Sequence, residues 1–74
     1  MKATKLRQIL KKRLGYTMVP GSGGSHTWFK TEGRPDIRWA YHNGRNLAPR
    51  EVRNVLVQQA GLSIDEAKEV LGVV

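Results

Sequence analysis

The sequence predicts an α+β fold of order α-β-β-β-α-α, folded as a single domain over residues 1–74. Amphipathic runs with apolar residues three and four apart occupy both ends of the chain. Two runs rich in aromatic and β-branched residues, alternating with a period of two, occupy the middle. Stretches bearing glycine or proline separate the runs, which marks them as turns and loops.

The first run, "TKLRQILKKRLG", places Leu6, Ile9, Leu10 and Leu14 on one stripe, with Thr4 as the expected N-cap and Gly15 as the stop. Lys5, Gln8, Lys11 and Lys12 fall on the opposite side, which reads either as a solvated basic face or as one turned toward RNA. "YTMVP" is a short strand closed by Pro20, "SHTWFKT" a second strand, "TEGRP" a hairpin loop centred on Gly33, and "DIRWAY" a third strand. Pro49 suits the first position of a helix whose inner stripe is Val52, Val55, Leu56 and Ala60 and which Gly61 ends. The last helix opens on a capping box, Ser63 with Glu66, flanked by Leu62 and Ala67 as a hydrophobic staple.

Strand parity sorts the middle of the chain into two faces. Phe29, Ile37, Trp39 and Tyr41 form the apolar side, and helices packed there leave His26, Trp28, Lys30 and Arg38 on the open side. His42 falls on that open side, at the end of strand three.

Composition narrows the function classes. There is no cysteine, so disulfides and cysteine-held zinc are excluded, and no apolar run reaches the ~20 residues of a membrane span. Together with the lack of a signal-peptide pattern, this predicts a soluble, cytoplasmic protein. Thirteen Lys and Arg against six Asp and Glu leave a net charge of +7. The charge is polarised: residues 1–14 hold six bases and no acid, whereas residues 49–74 hold three bases and four acids. A polarised positive charge points first to nucleic acid, where phosphate neutralisation drives binding.

The stretch "PGSGGSHTWF" carries the chemistry. Gly21, Ser22, Gly23, Gly24 and Ser25 are more than a turn needs, and they run directly into His26. Glycines let a backbone approach a phosphate and aim several N–H groups at it. Imidazole titrates near neutral pH, so it can take the 2′-OH proton of RNA or give a proton to the leaving 5′-oxygen. The plain alternative is a surface histidine after a slack loop. A zinc site is disfavoured, because two lone histidines do not complete a coordination shell, and no Gly-Lys-Ser/Thr follows to make a Walker loop. Trp28 is placed either to stack on a base or to pack at the sheet edge, and Lys30 and Arg38 either to meet phosphate or to keep the face soluble.

A helix ending in "LGY", a glycine loop running into "GSH", a strand pair and then "HNGRNLAPREVRNVLVQQAGLS" together resemble the HicA family of bacterial and phage toxins, over residues 5 to about 66. The resemblance implies a double-stranded-RNA-binding-domain-like fold, three antiparallel strands backed by helices. It also implies mRNA interferase activity through a catalytic histidine, which falls on His26, with Gly24 at the adjoining family glycine position. The usual partner of such a toxin is a HicB antitoxin that covers the active site. This chain differs from the family pattern at Ala40, where a proline is common, and in its longer glycine loop.

The expected function is therefore a metal-independent endoribonuclease that needs no cofactor and acts on mRNA. His26 would be general base or acid, supported by the N–H groups of Gly24 and Ser25 and by nearby cations, while His42 either supports it or only caps the "HNGRN" turn. The alternatives are a non-catalytic RNA-binding module on the same face, and a basic face that docks an acidic protein.

The charge distribution yields a test. If the outer face of the first helix tracks the RNA backbone, changing Lys5, Lys11 and Lys12 together to Gln reduces the log–log salt slope of binding by up to about two units. Affinity measured across a salt series decides it: a triple variant that matches wild type at every salt concentration means the helix face does not meet RNA.

Overall fold

A computed structural model describes residues 1–20 and 27–72. In chain order the elements are α1 (Ala3–Leu14), β1 (Thr17–Pro20), β2 (Thr27–Lys30), β3 (Ile37–Trp39), α2 (Pro49–Arg53) continuing as a π-wound segment (Asn54–Gln59), and α3 (Ile64–Leu71). The three strands form one antiparallel sheet in the order β1-β2-β3. This is the α+β architecture the sequence predicts.

Helices cover one face of the sheet. Leu6 and Leu10 of α1, Phe29 and Ile37 of the sheet, and Val55 and Leu56 of the π segment are fully enclosed together, with Trp39 beside them. The predicted stripes are the buried ones: Leu6, Ile9, Leu10 and Leu14 on α1, and Val52, Val55, Leu56 and Ala60 on the second helical run. Each fully buried side chain of this size contributes roughly 1.5–3 kcal/mol through apolar burial, so a core this thin has none to spare.

Both runs that precede a tight reversal end on a left-handed glycine. Gly15 lies at φ 75° and Gly61 at φ 78°. The next residues donate back to helix carbonyls, Tyr16 N–H to Leu10 O and Leu62 N–H to Leu56 O, both at 3.0 Å. The two reversals converge on the hairpin loop between β2 and β3. The Tyr16 hydroxyl donates to Pro35 O at 2.8 Å, and a Cβ placed on Gly61 would meet the Pro35 ring at 3.6 Å.

At α3 the capping box forms as predicted. Glu66 N–H donates to Ser63 Oγ at 3.1 Å, and Ser63 N–H to Glu66 Oε1 at 3.0 Å. Hydrogen bonding to the carboxylate from Ser63, its backbone N–H first and its side chain second, holds the Glu66 carboxyl below its ordinary pKa.

Four expectations are corrected. The N-cap of α1 is Lys2 rather than Thr4, whose hydroxyl instead donates to Asn43 O at 2.7 Å and so fastens a distant loop. The second helix is not uniform: from Asn54 it widens to π winding, and Ala60 N–H bonds five residues back to Val55 O. Strand three pairs only over Ile37–Trp39, because Tyr41 leaves the ladder to pack edge-on against Trp39 at 5.3 Å between centroids. His42 therefore does not end a strand. It opens a turn in which its carbonyl accepts from Arg45 N–H at 3.0 Å.

Tyr16 supplies a test of the junction. Burial raises its pKa, an effect that Arg34 opposes and Asp36 reinforces. A folded-state pKa above the unfolded one means that this contribution is complete below about pH 10 and is lost as pH rises through the folded value. Tyr16→Phe, which loses the bond to Pro35, is expected to cost about 1 kcal/mol at neutral pH and to flatten the decline of stability above pH 10. Urea titrations from neutral to alkaline pH measure both, and identical alkaline declines would remove Tyr16 as the cause.

Candidate nucleic-acid interface

The ladder register assembles the open face of the sheet. Val19 pairs with Trp28, and Trp28 with Arg38, so these three side chains cross the three strands in one row. Thr17 and Lys30 form the next row on the same side. Met18, Phe29 and Ile37 make the corresponding row on the helix-covered side. Trp28 is half-buried, flanked by an exposed Val19 and an exposed Arg38. An indole between an aliphatic side chain and a guanidinium is a platform on which an unstacked base can lie while cations meet phosphate. Lys30 is also engaged with Asp36 at 3.5 Å; both groups are about half exposed, so the pair contributes little and can rearrange.

His26, Gly24 and Ser25 lie outside the described residues. His26 directly precedes Thr27, whose backbone pairs with Pro20 on one side and Trp39 on the other.

Lys5, Lys11 and Lys12 are exposed on α1. Because α1 turns Leu6 and Leu10 into the core beneath the sheet, those lysines leave from the opposite layer. Lys5 and Lys12 border a shallow groove between α1 and α3, with Gln8, Val70 and Leu71. The sequence-derived cations thus form two surfaces, one around Trp28 and one on the helical layer, and the core separates them.

The segment 42–47 is held against the start of α1. Ala3 N–H donates to Arg45 O at 2.9 Å, Leu47 N–H to Met1 O at 2.7 Å, and Lys2 bridges to Asn46. Arg7 Nη1 donates to Asn43 Oδ1, and Nη2 reaches Met18 Sδ at 3.6 Å, which ties the loop to β1 as well. On the far side Arg45 sits 5.3 Å from the Tyr41 ring centroid and pairs with Glu51 at 2.7 Å. Glu51 in turn accepts from Ala48 N–H at the start of α2. His42 is exposed on this fastened turn.

Sequence reasoning missed Arg7, Asn43, Arg45 and Gln59 as positioning residues. Only "NG" in "HNGRN" gave a signal, as a turn. The contacts of Arg7 and Gln59 join positions 11 to 36 residues apart and leave no local pattern.

The family model described as HicA toxin of bacterial toxin-antitoxin matches residues 3–62, from the first residue of α1 through Leu62. The chain belongs to the HicA toxin family. It is a toxin of a toxin–antitoxin pair and has an antitoxin as its partner. Neither the curated proteins nor the solved structures give a match. The matched span contains the sheet, the fastened turn and the junction of Tyr16, Pro35 and Gly61, whereas α3 lies beyond it. Several residues that carry the HicA resemblance are thus structural: "LGY" and "QAGLS" supply the two glycine reversals that meet at Pro35. Among the described residues, no helix is long and apolar enough to cross a membrane.

The turn's attachment can be tested directly. Asn43→Ala is expected to cost about 1 kcal/mol and to speed hydrogen exchange at the Arg45 and Leu47 amides. Unchanged protection of those amides would show that the Arg7–Asn43 contact does not hold the turn.

Proposed function

We propose that this HicA toxin is a metal-independent endoribonuclease that cuts mRNA, with His26 as its proton-transfer group. The observation that carries the reading is the family match over residues 3–62, a range that includes the His26 position, together with a sheet face that presents Trp28 and Arg38. The reaction joins the 2′-oxygen to phosphorus and breaks the bond from phosphorus to the 5′-oxygen. The 2′-OH proton leaves to a base, and an acid supplies a proton to the departing 5′-oxygen. His26 acts as one of these, and the N–H groups of Gly24 and Ser25, with nearby cations, balance charge on the phosphorane. Proton transfer by imidazole calls for no ion and no cofactor.

His42 takes a supporting role in this scheme, since it sits on a turn fastened to α1 rather than on a strand. The partner is a HicB-like antitoxin acting in the cytoplasm, and the basic sheet face is the surface it would need to cover.

Purified protein incubated with RNA in EDTA is expected to cut it, leaving a 2′,3′-cyclic phosphate and a 5′-OH. His26→Ala should fold normally and lose ~10²–10⁴-fold in cleavage, and His42→Ala should lose less. Cleavage by folded His26→Ala at the wild-type rate would sink the assignment, and equal losses from both variants would make His42 a full catalytic partner. Activity that returns only with added magnesium would overturn the metal-free mechanism. RNA binding without cleavage would favour the non-catalytic module.

A further inference from the structure

We propose that the cleft along the outer edge of β3 holds one unstacked adenine of the bound RNA, with Asn54 and Gln59 as the residues that read it. The inference rests on the reading of this toxin as an RNA-acting protein and assigns that protein a base pocket.

The cleft has a volume of about 490 Å³ and is lined by Arg38, Ala40, Tyr41, Asn54 and Gln59. That lies within the ~300–1,000 Å³ of typical small-ligand sites. Two of its five residues are carboxamides, and the π winding is what brings them together. In an α-helix, residues five apart diverge by about 140° around the axis. Asn54 and Gln59 are the first and last residues of the π segment, where backbone bonds run five residues back, so the pair shares a face.

Their donors are available. Gln59 Oε1 accepts from Arg38 N–H at 3.0 Å, which fixes the amide orientation and leaves Nε2 as the donor. Nε2 has no hydrogen-bond partner among the described residues, and neither has the Asn54 side chain, whose backbone N–H is already spent on Arg50 O and Glu51 O. The Asn54 carboxamide sets a donor beside an acceptor, the complement of adenine N7 and N6, and Gln59 Nε2 adds one further donor.

The remaining walls are preorganised. Tyr41 is pinned edge-on by Trp39 and capped by Arg45, which Glu51 fixes. Ala40 contributes only a methyl group to the lining. Arg38 stands in the open-face row beside Trp28 and also lines the cleft, so a strand crossing Trp28 reaches the pocket with a neighbouring base.

The test uses four hexanucleotides, each of a single base, with every 2′-oxygen methylated so that binding is read without cleavage. Fluorescence anisotropy of wild type is expected to show about tenfold tighter binding of the adenine oligonucleotide than of the other three. Asn54→Ala removes one reader. Gln59→Glu keeps the acceptor for Arg38 N–H and removes the donor, while its added negative charge weakens all four oligonucleotides alike. Each variant, checked for a wild-type melting temperature, should shrink the preference to about twofold or less while the other oligonucleotides change together. A wild type that binds all four alike overturns the pocket and leaves the RNA reading standing. An adenine preference that survives in both folded variants overturns it too. Failure of every oligonucleotide to bind overturns the RNA reading and the pocket with it.

Discussion

Alternation along three short strands means that whatever buries Phe29 must expose Trp28, and the rest of the molecule follows from that constraint. The helices have one face to cover, and they cover the side of Phe29, Ile37 and Trp39. The opposite row of Val19, Trp28 and Arg38 is then open by geometry rather than by any separate device. A slip of one residue in register would put Trp28 in the core and Phe29 in water. Core stability and the open row around Trp28 are thus two consequences of one pairing.

Two interactions keep so small a core closed at its edges. The first is the junction where Tyr16, Pro35 and Gly61 meet, because both reversals that lead into the sheet and out of the second helix end there. Left-handed glycines make those reversals at no steric cost, and an alanine at either position would meet the left-handed penalty of roughly 1–2 kcal/mol. The second is the chain of contacts from Phe29 through Trp39 and Tyr41 to Arg45 and Glu51, which runs from the buried sheet to the first turn of α2. It converts the loop after β3 into a fixed strut, and the bonds from Ala3, Thr4 and Arg7 close it from the other side.

The same strut shapes the surface. Tyr41 leaves the ladder to meet Trp39, so β3 ends early, and as the last strand of the sheet it has an outer edge open to a side chain. Gln59 takes that place by accepting from Arg38 N–H, and the π winding is the local adjustment that lets a helix packed through Val55 and Leu56 reach it. An edge N–H that would otherwise invite another strand is satisfied within the chain.

The sequence by itself determined the element order, both apolar stripes, the face of the sheet that would be buried and the capping box at Ser63. Each of these is a short-range pattern: a period of two or of about 3.6, or a pair three residues apart, and burial follows such patterns when one face has nowhere else to go. The family, too, was legible in the spacing of "GSH", "HNGRN" and "QAGLS". Tertiary structure decided what those motifs do physically. It set Thr4 to fasten a loop instead of capping its own helix, took His42 off the strand, widened the second helix at Asn54, and parted the α1 lysines from the Trp28 row. None of these could be read locally, because each depends on a partner brought close only when the layers pack, as Arg7 meets Asn43 across 36 positions of the chain.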